Sequence, residues 1–327
     1  MSNRRVLVTG AGGFIGHHLC NFLVRKGYWV RAADQKRPQF SNTSANQFLD
    51  LDLRDAKNCR IAAEGVDEIY HLAADMGGIG FISSQHATIA RNNTLMNLGM
   101  LEGARLSGVD RFLYSSSACV YPRHLQTSAD VIPLRELDAW PAQPEEGYGL
   151  EKLYAEKLCQ YYTEDFGLNV RVVRFHNVYG PLGTYDGGRE KAPAAICRKI
   201  AVVEDGDEIE IWGDGQQTRS FMYVDDCVEG IHRIMRSDDD QPFNLGTEEL
   251  VTVNELVDIV SAVAGKRVIK RHDLSKPQGV RGRNSDNSRL RQTLGWEPSI
   301  GLRQGLAATY RWIEREVRIR TSVPAGA

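Results

Sequence analysis

Apolar and polar positions along the first half of the chain follow one repeating pattern. Short apolar runs, the length of a strand, alternate with longer amphipathic stretches, the length of a helix. Arg5–Thr9 is the first such run, and an amphipathic stretch follows it to about Lys26. Trp29–Ala33, ending at Asp34, predicts a second strand, Phe48–Arg54 a third and Glu68–Ala74 a fourth. His86–Leu106 reads as a long helix, Arg111–Ser117 as a fifth strand, and a helix opens at Gly147 and runs to about Phe166. Strand–helix alternation of this kind predicts a parallel sheet covered on both faces, with ligands at the carboxyl ends of its strands.

After Val170–Pro181, read as a strand and a turn, the elements become shorter and less regular. The segment 187–193 opens a helix ending near Ile200, Trp212–Phe221 reads as a tight polar turn, and Val224–Arg236 and Val253–Ala264 read as helices. Gln278–Asp286 is a basic, glycine-bearing loop, Leu302–Val317 a last helix, and the tail Thr321–Ala327 is expected to fray. The fold class is therefore α/β: a Rossmann-type doubly wound parallel sheet with a smaller C-terminal substrate-binding lobe. Residues 1–176 form the cofactor-binding domain, residues 177–327 form most of the substrate lobe, and about 220–247 return to the first domain.

Composition narrows this only a little. The 327 residues are 42% hydrophobic and 25% charged, ordinary for a globular protein. A net charge of −2 gives no electrostatic reason for a nucleic-acid partner, and no apolar run reaches membrane-spanning length. The N-terminus carries no secretory cleavage pattern. The six cysteines contain no C-x-x-C pair, which fits free thiols in a reducing cytoplasm and not a disulfide frame or a metal site.

Candidate chemistry sits at the strand ends. Between the first strand and its helix lie Gly10, Gly13 and Gly16, with Phe14 and Ile15 between the last two. This G-x-x-G-x-x-G spacing lets backbone approach a pyrophosphate at a helix N-terminus. Asp34, some 20 residues further on, suits ribose hydroxyls and repels a 2′-phosphate, favouring NAD over NADP, although Arg37 stands nearby. Asp52 suits either an adenine edge or a plain strand-end or helix-cap role. Ser117 ends the fifth strand and Cys119 follows it, where they face the cofactor crevice, or act as strand-end and packing residues. Tyr148 and Lys152, four residues apart, share one helix face. An ammonium beside a phenol favours phenolate, so the pair suits proton removal from a sugar hydroxyl as a hydride leaves its carbon.

Together the glycine motif, Asp34, Ser117 and Tyr148-x-x-x-Lys152 resemble the extended short-chain dehydrogenase/reductase superfamily. Within it, Gly188–Ala195 and Val280–Asn287 resemble the GDP-mannose 3,5-epimerase family, with support from Ala74–Gly78, Ser116–Pro122, Asp138–Ala142 and Arg174–Asn177. The resemblance runs from about Arg5 to Trp312, and only Leu125–Val131 and Val202–Glu208 stand apart from it.

That resemblance implies an NAD-dependent isomerase converting GDP-mannose to GDP-L-galactose, or at C5 alone to GDP-L-gulose. It implies Tyr148, Lys152 and Ser117 as the hydride-transfer set, and Cys119 as base with Lys191 as acid for the two carbon protons. Read from residues alone, Lys191 is a solvated helix-start lysine. Cofactor contacts are implied for Gly10, Gly13, Phe14, Ile15, Gly16, Asp34, Asp52, Tyr148 and Lys152. Substrate contacts are implied for Gly77, Ser117, Ala118, Cys119, Asn177, Glu190, Lys191, Ala192, Lys199, Gln217, Arg219 and Arg283, with Arg281 an alternative to Arg283. A homodimer is implied through the helices at about His86–Leu106 and Gly147–Phe166. The rivals are a 4-epimerase, which needs no second acid/base pair, and a 4,6-dehydratase, which needs carboxylates after the serine where this chain has Ala118-Cys119. A non-catalytic dinucleotide sensor is the rival of another class.

Overall fold

A computed structural model describes residues 4–322. Its first strand, β1 (Arg5–Thr9), shows why the sheet forms. Val6 and Val8 pack into one apolar cluster and Leu7 into another, all fully buried. That is the period-two alternation of a strand covered on both faces. Of β2 (Trp29–Asp34), β3 (Gln47–Asp50), β4 (Glu68–His71), β5 (Arg111–Ser117) and β6 (Val170–Phe175), all follow the same rule except β3, which lies at the sheet edge and is only partly buried. Counting past β7 (Asn177–Tyr179), β8 (Glu208–Trp212), β9 (Thr218–Arg219) and β10 (Phe221–Tyr223), β11 (Phe243–Leu245) completes a seven-stranded sheet. Its order is β3-β2-β1-β4-β5-β6-β11, parallel at every pairing. The strand order reverses between β1 and β4, and a crevice opens at that point in such sheets.

Helices cover the two faces. α1 (Phe14–Arg25) turns Leu19, Cys20 and Leu23 onto the sheet. On the other side α2 (Ala56–Ala63) and, beyond the short α3 (Ile79–Ile82), α4 (His86–Leu106) and α5 (Tyr148–Phe166) enclose the cluster that holds Met100, Ala155 and Cys159. α6 (Ala192–Val202) belongs to the second half of the chain; α7 (Val224–Arg236) packs with α1. β12 (Val251–Thr252), α8 (Val253–Ala264), β13 (Ile269–Asp273), β14 (Gly282–Arg283), α9 (Ser288–Leu294) and α10 (Leu302–Ser322) complete the order. α6, α8 and α10 pack on one another. All six cysteines are buried and free. Among the described residues no helix is long and apolar enough to cross a membrane.

Several sequence expectations change. The run 170–181 is two strands in different sheets, because His176 leaves the register and its N–H donates to the Leu245 carbonyl. Strand β4 stops at His71, where the Leu72 and Ala73 amides bond the Thr9 hydroxyl instead of a neighbouring strand. The segment 212–221 is not a single turn: β9 pairs antiparallel with β12 and parallel with β14, joining residues far apart in sequence. The β8–β13 pair was not anticipated from the pattern. The last helix continues to Ser322, so Thr321 is helical, and residues 323–327 of the expected tail lie outside the described residues.

Candidate active site

The glycine turn after β1 is shaped by close approach. A Cβ on Gly12 would lie 1.9 Å from the Lys36 carbonyl oxygen, and one on Gly16 would lie 2.2 Å from that of Gly10. At Gly13 the nearest atom is 3.2 Å away, so the unremarked Gly12 is more tightly required than Gly13. Phe14, Ile15 and Gly16 form the first turn of α1, whose amides lack intrahelical acceptors. Asp34 at the end of β2 accepts from the Gly12 amide at 2.9 Å and the Lys36 amide at 3.1 Å. Burial raises its carboxyl above the usual range while these amides oppose the shift. Arg37 is engaged elsewhere, 3.4 Å from Asp50 and over the Phe48 ring. Asp52 lies two residues beyond β3 and is held by Arg54 and Gln35. The turn thus offers free amides, a dipole end and a ribose-selective carboxylate, a fit to NAD.

Tyr148 opens α5 directly against the turn that carries Cys119. Gly149 permits this approach, since a Cβ there would stand 2.2 Å from the Cys119 carbonyl oxygen. Ser117 caps the 3-10 turn Ala118–Val120, accepting the Cys119 amide at 3.2 Å, and lies within hydrogen-bonding reach of both the Tyr148 phenol and the Cys119 thiol. Lys152, 1% exposed, donates to the Ser115 carbonyl at 3.0 Å, with its nitrogen 5.7 Å from the Tyr148 ring centre.

The electrostatics differ from the simple sequence expectation. Burial, then Cys119 and Glu151, hold the Tyr148 phenol well above its usual range, and the Ser117 hydrogen bond opposes them. Lys152 is itself pulled down by burial and spends a bond on Ser115, so it does not dominate the phenol. Burial also raises Cys119; Glu145 adds to the rise and Arg283 opposes it. Lys191, the residue before the first turn of α6, is lowered by burial, and the charge it feels most is that of Cys119. Tyr148 and Cys119 thus share one buried cluster capped by Ser117, and Lys191 is an electrostatic neighbour of the thiol.

Other sequence-selected residues are placed with varying directness. A Cβ on Gly77 would meet the Phe81 side chain at 3.1 Å, so packing against α3 already accounts for this glycine. Asn177 donates to the Ser220 carbonyl, and Glu190 accepts the Gly188 amide. Lys199, on α6 with Ala192, donates to the Glu210 carbonyl at 2.6 Å. Gln217 donates to the Trp212 carbonyl, while its buried Oε1 has no partner among the described residues. Arg219 and Arg283 are register partners across β9 and β14. Arg219 bonds main-chain carbonyls of Thr218, Gln278 and Val280, and burial lowers it to about 10. Arg283 contacts Cys119, Gln126 and Glu145 instead of facing outward. Arg281 is taken by Asp214, with both bonds at 2.9 Å.

The sequence reading missed a buried chain beneath the tyrosine helix. Glu151 accepts from Asn93 at 2.9 Å and Asn97 at 2.6 Å; Asn97 in turn meets His71, and His71 meets Thr9. Burial lowers His71 to about 3, so the ring is neutral; Nε2–H donates to Asn97 and Nδ1 accepts from Thr9. The available signal was Asn93 and Asn97, one turn apart on the buried face of α4.

Comparison with known proteins agrees with this geometry. Residues 6–246 match the NAD dependent epimerase/dehydratase family. GDP-mannose 3,5-epimerase of Arabidopsis thaliana is 47% identical over 317 residues, covering 96% of this chain and 83% of that protein. GDP-mannose 3,5-epimerase 1 of Oryza sativa subsp. japonica is 49% identical over 315 residues, covering 96% and 82%. Among solved structures, UDP-glucose 4-epimerase of Thermotoga maritima with UDP-glucose superposes with a TM-score of 0.85 at 27% identity, covering 96% of this chain and 99% of that one. With relatives this similar along nearly its whole length, the chain belongs to the NAD dependent epimerase/dehydratase family, in the group that includes the GDP-mannose 3,5-epimerases.

Proposed function

We propose that this isomerase inverts C3 and C5 of GDP-mannose through a transient C4 ketone, giving GDP-L-galactose, or GDP-L-gulose when C5 alone inverts. Hydrogens on C3 and C5 of a hexose are not acidic. A ketone at C4 makes both of them alpha to a carbonyl, so each carbon can pass through an enolate. NAD, held by the Gly12–Gly16 turn and Asp34, supplies the oxidation at C4 and its reversal.

The residues divide the remaining work. Tyr148 takes the C4 hydroxyl proton on the outward step and returns it at the end. Because burial holds it as a phenol, release of its proton leans on the Ser117 hydrogen bond and on Lys152 in the same crevice. Ser117 donates to the oxygen on which enolate charge develops. Cys119 removes a carbon proton and Lys191 delivers one, each through its minority or majority form as pH dictates. Arg219, a half-buried cation with no carboxylate bonded to it among the described residues, suits the diphosphate better than Arg283, which is already tied to Glu145. Gln217, with its unpartnered buried oxygen, suits the nucleotide as a hydrogen-bond acceptor.

The observation that carries this reading is the thiol of Cys119 at the tyrosine–serine pair, with an ammonium on another element as its charge neighbour. A 4-epimerase, whose fold this chain shares, has no use for that second pair. Product analysis tests the reading: with GDP-mannose and NAD, sugars inverted at C5 and at C3 plus C5 are expected. A product inverted at C4 alone would instead establish the 4-epimerase.

A homodimer belongs to the same reading. Leu95 and Leu98 on α4, and Leu150, Tyr154 and Tyr161 on α5, are about half exposed on two packed helices. Such a stripe suits burial against a second copy. The buried, disulfide-free thiols suit a reducing cytoplasm.

A further inference from the structure

Arg283 is gripped from three directions. Its Nε donates to Gln126 Oε1, its Nη1 lies 3.7 Å from the Cys119 sulfur, and its Nη2 donates to Glu145 Oε1. Gln126 is 1% exposed and is itself fixed, because its amide nitrogen bonds the Tyr121 and Pro122 carbonyls. Glu145 is fixed through its main chain. Its N–H donates to the Cys119 carbonyl at 3.0 Å, and its own carbonyl accepts from Leu150 in the first turn of α5 at 3.0 Å. One residue thereby joins the thiol's turn, the tyrosine's helix and the guanidinium between them.

We propose that Glu145 is a positioning residue for proton transfer at carbon: its carboxylate holds Arg283 beside Cys119 and divides that positive charge between carboxylate and sulfur. This deepens the role proposed for Cys119 and rests on it. An arginine facing a lone thiol would favour a standing thiolate. With Glu145 in the grip, the cation is already balanced, so Cys119 rests as a thiol. The other groups whose charges couple to Cys119 are Tyr148 and Lys152 on α5, Lys191 at α6 and Arg219 on β9, with Ser117 hydrogen-bonded to it. Glu145 is the carboxylate among them, so removing its charge has a definite sign.

The test is a pH titration of thiolate ultraviolet absorbance, with the Cys119→Ala protein subtracted to leave the Cys119 signal. Glu145→Gln keeps the shape but removes the charge, and the Cys119 midpoint is expected to move to lower pH by about one unit. Glu145→Asp keeps the charge on a shorter arm and is expected to fall between that variant and the wild type; it carries the test if Glu145→Gln does not fold. A midpoint unmoved in a folded variant, or moved to higher pH, overturns the proposal, because a purely structural role would change melting without shifting the midpoint downward. Deuterium exchange in Cys119→Ser separates the two readings. Persistent exchange there removes Cys119 as base, whereas the titration reports the Glu145–Arg283 effect without any substrate.

Discussion

The two sides of the crevice are built by different means. On the cofactor side, strand, glycine turn, helix and Asp34 lie within 30 consecutive residues, positions 5–34, and each contact is local or between neighbouring strands. On the proposed substrate side, Cys119, Glu145, Lys191, Arg219 and Arg283 come from five separate stretches, two of them strands of two residues. The cofactor side is a rigid cradle defined by backbone. The substrate side is a charge arrangement defined by side chains. Substitutions on the first should act through space, and those on the second through proton and anion chemistry.

The sharpest break of that contrast lies at the seam. Tyr148→Phe removes the hydroxyl shared by both sides, so turnover should fall by about 10²–10⁴-fold while nucleotide sugar still binds. Undiminished turnover would remove Tyr148 from the chemistry. Cys119→Ser should leave C4 oxidation, followed as reduced cofactor absorbance, yet slow carbon-proton exchange by about 100-fold. Arg219→Ala should raise the KM for nucleotide sugar by about tenfold or more with little change in NAD affinity, the loss of a charged hydrogen bond. An equal loss of NAD affinity would mean the two sides are not separable.

pH adds a further line. Cys119 is raised and Lys191 lowered, both by burial first. Exchange that needs thiolate should therefore climb as pH rises toward the raised thiol value, then decline once Lys191 loses its proton. Cys119→Ser should flatten the climb and leave the decline. Smaller still is Gly149→Ala, whose methyl would press on the Cys119 carbonyl. It should lower stability by about 1–3 kcal/mol and disturb exchange more than NAD binding. The least effect is expected of Arg37→Ala, because Arg37 is held by Asp50 and Phe48; the preference for NAD over NADP should be nearly unchanged.

The same contrast explains what was legible in the sequence. α4, β5, α7 and α8 begin and end where the pattern put them, since their apolar periodicity is local. Tyr148 and Lys152 were legible because one helix turn fixes their relation. β9, β12 and β14 were not, because strands of two residues carry no period and owe their existence to partners far along the chain. Arg283 was legible as a substrate-contact candidate from its loop, but its Gln126 and Glu145 partners, 157 and 138 residues earlier, were not. The phenol's electrostatics were misjudged for a similar reason: a spacing of four shows Lys152 beside Tyr148 but not the burial that outweighs it.

The central claim is that a ketone at C4 loosens the hydrogens on the carbons at either side of it. Turnover of GDP-mannose in heavy water, read by NMR of recovered sugar nucleotide, tests this directly. Deuterium at C3 and C5, with C4 keeping its original hydrogen, is the predicted result. Products formed with no deuterium at C3 or C5 would contradict the account.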